Sequence, residues 1–121
     1  MGKLTAHISL KSKGVSSSPL ELRASDVLIV TNPSLELSRV VAPSSGQVNL
    51  LTVAENTAVT YLYMRNMDST NFVVVKTDAA VELMVLAPNE FAFLPVQAAT
   101  GIEVTADTAE CVIEYGYWTK A

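Results

Sequence analysis

Asn66, Asp68 and Asn71 place three oxygen-bearing side chains within six residues of the stretch TYLYMRNMDSTNFVVVK (60–76). That spacing could serve a cation, a polar ligand or simply the reversal of the chain. A calcium loop draws on more oxygen ligands at regular spacing, a glycine at its sharp turn and a distal bidentate acid. These are missing after Asp68. The three residues are therefore read as turn-formers, whose side chains fold back onto nearby backbone N–H groups.

Other chemistry has few residues to draw on. A Ser–His–Asp or Cys–His enzyme would have to use His7, the single histidine, on a terminal segment with polar neighbours. One His and one Cys cannot supply the three or four N/S ligands of a zinc site. A hydrolase built on two carboxylates is open by count, but Glu82, Glu90, Glu103 and Glu114 all fall where alternation or turns place solvated charges. SSGQ (44–47) and SKG (12–14) are short, and no helical pattern follows either, so neither reads as a phosphate-cradling loop. The expectation is a protein without enzymatic activity, cofactor or metal.

The elements that must position these residues are strands. Leu4, Ala6, Ile8 and Leu10 alternate with polar residues, as in a half-buried strand. GVSSSP interrupts that pattern. Strand-like runs follow at 26–31, ended by Asn32-Pro33, then at 35–40, 47–53, 56–66, 71–77, 81–86, 90–96, 101–106 and 110–118. Only SPLELRASD (18–26) has any claim to helix, for a turn at best. Nine or ten strands with short connectors and no βαβ alternation predict an all-β domain, a jelly-roll-like or Greek-key β-sandwich over 1–121. Val59, Tyr61 and Tyr63 share one face and Leu62 and Met64 the other, which marks this strand as central.

Half of the 121 residues are apolar and 17% are charged, so the chain is expected to fold around one core. No apolar run is long enough to span a membrane and no signal peptide is apparent, so a cytoplasmic chain, complete as given, is expected. Cys111, the only cysteine, reads as a small core hydrophobe. Residues 1–23 carry four basic residues against Glu21, net +3, and the remainder carries four basic and eleven acidic residues, net −7. The first segment thus reads as a basic N-terminal strand or arm. The overall acidity argues against a nucleic-acid surface.

The C-terminal CVIEYGYW (111–118) admits two readings. As core, Cys111, Ile113, Tyr115 and Tyr117 line one face and Gly116 marks a bulge or a close backbone approach. As interface, Tyr115, Tyr117 and Trp118 are residue types that anchor protein contacts. Trp118 is carried as an interface candidate together with Lys3, Lys11 and Lys13. Ser16, Ser17, Ser18 and the 42–46 loop are expected surface excursions.

RNMDSTNFV (65–73), PNEFAF (88–93) and ADTAECVIEY (106–115), with the opening KLTAHISL, resemble a family of small virion structural proteins of tailed bacteriophages. That family shares an N-x-D-x-x-N hairpin, a PGE-aromatic turn and a closing strand of this kind. The resemblance covers residues 1–11 and 58–118. Asn89 stands where the family has glycine, and asparagine tolerates the left-handed conformation that such turns need. The resemblance implies a β-sandwich on the capsid exterior of a virion, assembled in the host bacterial cytoplasm. There it would act as a homotrimeric decoration or cement protein whose partner is the major capsid protein. A tail or neck protein, or a carbohydrate- or receptor-binding module, is the alternative. For the latter, one Trp and four Tyr placed mostly in strands look a thin supply.

Overall fold

The computed structural model describes residues 2–15 and 17–121. Met1 and Ser16, the latter one of the expected loop excursions, lie outside the described residues. Nine strands and no helix form the described chain: β1 (Gly2–Ser12), β2 (Leu20–Ala42), β3 (Val48–Leu51), β4 (Thr60–Asn66), β5 (Val73–Thr77), β6 (Glu82–Leu86), β7 (Phe91–Val96), β8 (Ile102–Ala106) and β9 (Cys111–Lys120). The fold is the expected all-β one. The chain forms two compact units, Met1–Thr31 with Ala121, and Asn32–Lys120.

The first unit is a two-stranded antiparallel hairpin. β1 pairs with the first half of β2 from Gly2↔Val30 to Ser12↔Leu20 without a register slip. Directly opposed residues of an antiparallel pair share a face. One face therefore carries Leu4/Leu28, Ala6/Asp26, Ile8/Ala24 and Leu10/Leu22, and the other carries Lys3/Ile29, Thr5/Val27, His7/Ser25, Ser9/Arg23 and Lys11/Glu21. Residues 18–26, expected to manage a helical turn, are strand from Leu20 onward. Leu, Glu, Arg and Ala favour helix only weakly, and a partner strand in register outweighs that preference. Nor does the strand stop at Asn32-Pro33: β2 runs through this cis peptide bond to Ala42, merging two expected strands into one.

The second unit is a β-sandwich of two four-stranded layers, β2-β9-β4-β7 and β3-β8-β5-β6. Within this unit the chain changes layer at every connection except the β5–β6 hairpin. This is the winding of a jelly roll. β4 is central, flanked by β9 and β7, as its two-sided apolar pattern predicts. Its alternation places Leu62 and Met64 fully inside, where they meet Val73, Val75, Val104 and Ile113 of the other strands. Such close-packed aliphatic burial contributes about 25 cal/mol per Å² of apolar surface removed from water. Cys111 is buried in this core, and burial, followed by the negative charge of Asp68, pushes its thiol pKa up. Gly116 sits where a Cβ would lie 3.0 Å from the Leu35 carbonyl oxygen and 3.1 Å from the Trp118 ring, so the close backbone approach read from the sequence is present.

Candidate interaction surfaces

The turn residues meet at one end of the sandwich. Asn66 closes β4 and is fully buried. Its Nδ2 donates to the carbonyls of Asn71 (2.9 Å) and Leu86 (3.1 Å), and its Oδ1 accepts the Asp68 N–H (3.0 Å). The Asn89 N–H donates to the Asn66 carbonyl (3.0 Å), which ties the 67–72 loop to the β6–β7 turn. Asp68 Oδ2 accepts the N–H groups of Asn71 (2.6 Å) and Thr70 (2.9 Å). These two bonds, Asn71's first, hold its carboxyl below the usual carboxylate range. Asn89 adopts φ 66° in the turn, the left-handed conformation that glycine or asparagine fills at least cost. Asn66 Oδ1 and Asp68 Oδ2 are thus committed to backbone N–H groups, and Asn71 joins them through its own N–H and carbonyl. Among the described residues no group of three His, Cys, Asp or Glu side chains could hold a metal ion.

The opposite connections are tied by a second asparagine that the sequence reading missed. Asn56 is fully buried, and its Nδ2 donates to the carbonyls of Gln97 (2.6 Å) and Thr100 (2.9 Å) while its Oδ1 accepts the Thr60 hydroxyl (2.7 Å). Beside it, Glu55 accepts the Tyr117 hydroxyl (2.7 Å) and both the N–H and hydroxyl of Thr52 (2.9 and 2.8 Å). Burial opposes ionisation of Glu55, but these three donors outweigh it and hold its pKa down. Burial, and then the bond to Glu55, pushes Tyr117 up to about 12. AENTAVT carries no turn signature beyond a lone Asn, so nothing in its pattern separates a buried anchor from a solvated loop residue.

The outer face of the β9-β4-β7 layer gathers Tyr61, Tyr63, Phe91, Phe93 and Trp118. Cross-strand pairing sets out three rows: Pro95–Tyr61–Trp118, Phe93–Tyr63–Gly116 and Phe91–Arg65–Glu114. Tyr61 stacks on Phe93 with ring centroids 6.1 Å apart and planes 11° from parallel. Phe91 and Phe93 remain 62% and 41% exposed, so the face is available to a partner. The thin supply of aromatics expected from the sequence is corrected here. Strand residues count as supply when alternation turns them outward, and two phenylalanines join them. Polar groups border the face: the Tyr63 hydroxyl donates to Glu114 Oε1 (3.2 Å), Arg39 approaches Glu114 Oε2 at 3.6 Å, and Arg65 Nε donates to the Asn89 carbonyl (3.2 Å). Burial, followed by the negative charge of Glu114, raises the Tyr63 pKa.

The hairpin presents a second surface. Ile8, Leu10, Leu20 and Leu22 are each between 44% and 52% exposed. Lys3 and Lys11 lie on its other face and Lys13 in the connection that follows. Of the interface candidates, the three lysines thus belong to the hairpin and Trp118 to the aromatic face of the sandwich.

Comparison with protein-family models, with curated proteins and with solved structures finds no match to this chain. No helix is long and apolar enough to cross a membrane among the described residues.

Proposed function

We propose that this chain is a non-enzymatic structural protein of a tailed-bacteriophage particle. In this reading it self-associates, most simply as a trimer, on the capsid exterior and clamps major capsid protein subunits against the pressure of packaged DNA. The observation that carries the proposal is the hairpin. A two-stranded hairpin is at best marginally stable alone in water, yet this one keeps eleven paired positions in register with Val30 its only buried hydrophobic side chain among the described residues. An element of that kind gains its stability from a surface supplied by assembly. The jelly-roll winding agrees with this reading, since that architecture recurs in viral shells, but it recurs in lectins as well. The deciding experiment is quantitative mass spectrometry of purified particles. Copies that scale with the major capsid protein support decoration, a ring-sized count moves the protein to the neck or tail, and absence from particles overturns the proposal.

One observation favours the second reading, a receptor- or glycan-binding module. The aromatic face of Tyr61, Phe91, Phe93 and Trp118 lies beside Glu114 and Arg65, which offers ring surfaces for sugar C–H groups next to hydrogen-bonding partners. Glycan-array binding that is lost on Phe91→Ala and Trp118→Ala would establish it. A silent array leaves that face to protein contacts.

A further inference from the structure

The hairpin's apolar face and the charge of the two units together point to an occupant. Up to Thr31 the chain holds four basic residues (Lys3, Lys11, Lys13, Arg23) against Glu21 and Asp26, net +2. From Asn32 onward it holds four basic and ten acidic residues, net −6. When two copies meet, hairpin against hairpin and sandwich against sandwich are both like-charged. Only hairpin against sandwich is attractive at long range, and like-charge juxtaposition is what excludes wrong pairings.

The sandwich has an apolar surface of matching character on β6 and the residue that precedes it. Val81, Leu83 and Val85 are 56%, 47% and 55% exposed. β6 ends its layer, since it pairs only with β5 in the order β3-β8-β5-β6. Unlike β7, the edge of the other layer, which contains Pro95, β6 has neither Pro nor Lys to blunt its edge. A cleft of about 440 Å³ opens between β6 and β7, lined by Met84, Val85 and Leu86 on one side and Glu90, Phe91 and Ala92 on the other. The charge beside the β6 strip is acidic: Lys76 stands opposite both Glu82 and Glu103 in the strand register. The aromatic face, by contrast, carries Arg39 and Arg65 against Glu114. A basic hairpin therefore selects β6 over the aromatic rows.

We infer that the apolar hairpin face of one copy docks on the β6 strip and the adjoining cleft of a second copy. Leu10 and Leu22 cover Leu83 and Val85, Lys13 in the connection reaches toward Glu82 and Glu103, and Lys3 and Lys11, on the outward face of the hairpin, add to the long-range attraction. Such a contact joins two different surfaces, so it generates a ring if the rotation closes. The inference rests on the self-association within the proposed function, and it specifies which surfaces meet.

The test uses the full chain with single cysteines introduced on separate copies, Leu10→Cys in one preparation and Val85→Cys in another. Cys111 is buried and free, and the parent chain serves as its control. Mixed and mildly oxidised, the two preparations are expected to form the mixed disulfide several-fold in excess of either homodisulfide. Sedimentation velocity supplies the second arm. Lys3→Glu with Lys11→Glu, or Glu82→Lys with Glu103→Lys, should each weaken association about tenfold at low salt, because each reduces or reverses the charge difference between the two surfaces. Excess of the Leu10→Cys homodisulfide overturns the inference in favour of hairpin-to-hairpin packing. An oligomer indifferent to all four charge changes also overturns it, while self-association itself stands. A chain that stays monomeric at every concentration overturns both.

Discussion

The hairpin and the sandwich are written in the same period-two alphabet and come to opposite ends. In β4 the alternation TYLYMRN buries every second residue completely. In β1 the equally regular GKLTAHISLKS leaves Ile8 and Leu10 nearly half exposed. Alternation dictates that a strand will have an apolar face, but a second layer must exist to cover it. In the sandwich, strands from both layers supply that cover. The sandwich also satisfies its polar interior: among the described residues, no buried side-chain nitrogen or oxygen lacks a hydrogen-bond partner. The hairpin's ion pair, Arg23 to Glu21 at 2.7 Å, joins two well-exposed side chains, and such pairs contribute little. One region carries the cover for its own apolar face; the other leaves that face exposed.

The largest effect that could break this contrast comes from truncating one leucine in each region. Leu62→Ala removes a fully buried side chain and should cost about 2–5 kcal/mol. Leu22→Ala removes one that is 44% exposed and should shift stability by about 0.5 kcal/mol or less. Urea denaturation of dilute protein measures both. Equal losses would mean that the hairpin already has its cover within one chain.

Next in size is the loss of an asparagine anchor. Asn66→Ala deprives the carbonyls of Asn71 and Leu86 and the N–H of Asp68 of their partner inside the protein. Stranded buried polar groups are costly, and about 3 kcal/mol is expected. Asp26→Ala in the hairpin loses only an exposed bond to the Val27 N–H (2.8 Å) and should fall within about 0.5 kcal/mol of the parent. The same denaturation curves decide this pair.

A smaller effect is confined to the pH extremes and to the sandwich. Glu55 has its pKa lowered on folding, so its contribution is complete above its unfolded value of 4.5 and is lost as pH falls through the folded one. Tyr117 is raised from 10.0 to about 12, so its contribution is complete below pH 10 and is lost as pH rises toward 12. Thermal melts should show both flanks, and Tyr117→Phe should flatten the alkaline one. An alkaline flank unchanged in Tyr117→Phe would show that other groups set it.

Much of this architecture was legible because strand periodicity is local. The all-β class, the central place of β4, the turn at Asn66–Asn71 and the inward Cys111 and Ile113 can all be read from spacing and residue type. What could not be read depends on pairing between distant segments. Residues 20–26 became strand because β1 lies beside them in register. Asn56 became an anchor because the 97–100 connection closes over it, about forty residues away in sequence. The aromatic face needed β7 and β9 on either side of β4 before its members could be counted together. Whether the hairpin is covered depends on a surface outside its own strands, which no pattern within it encodes.

The smallest expected effect tests how much of a turn is carried by conformation alone. Asn89 holds φ 66° between Pro88 and Glu90. The turn is fixed by its backbone: the Glu90 N–H donates to the Ala87 carbonyl (3.0 Å), Glu90 Oε1 accepts the Ala87 N–H (2.7 Å), and the Asn89 N–H reaches Asn66. Glycine at position 89 would keep all three bonds and relieve the left-handed strain. It would also give the unfolded chain more freedom to lose on folding, a cost of similar size. Asn89→Gly should therefore stay within about 0.5 kcal/mol of the parent, whereas Asn89→Val, with a β-branched side chain in the left-handed region, should cost about 1–2 kcal/mol. If valine costs no more than glycine, the backbone does not hold this turn left-handed. The tie from the β6–β7 turn to Asn66 would then have to be held by something other than the conformation at residue 89.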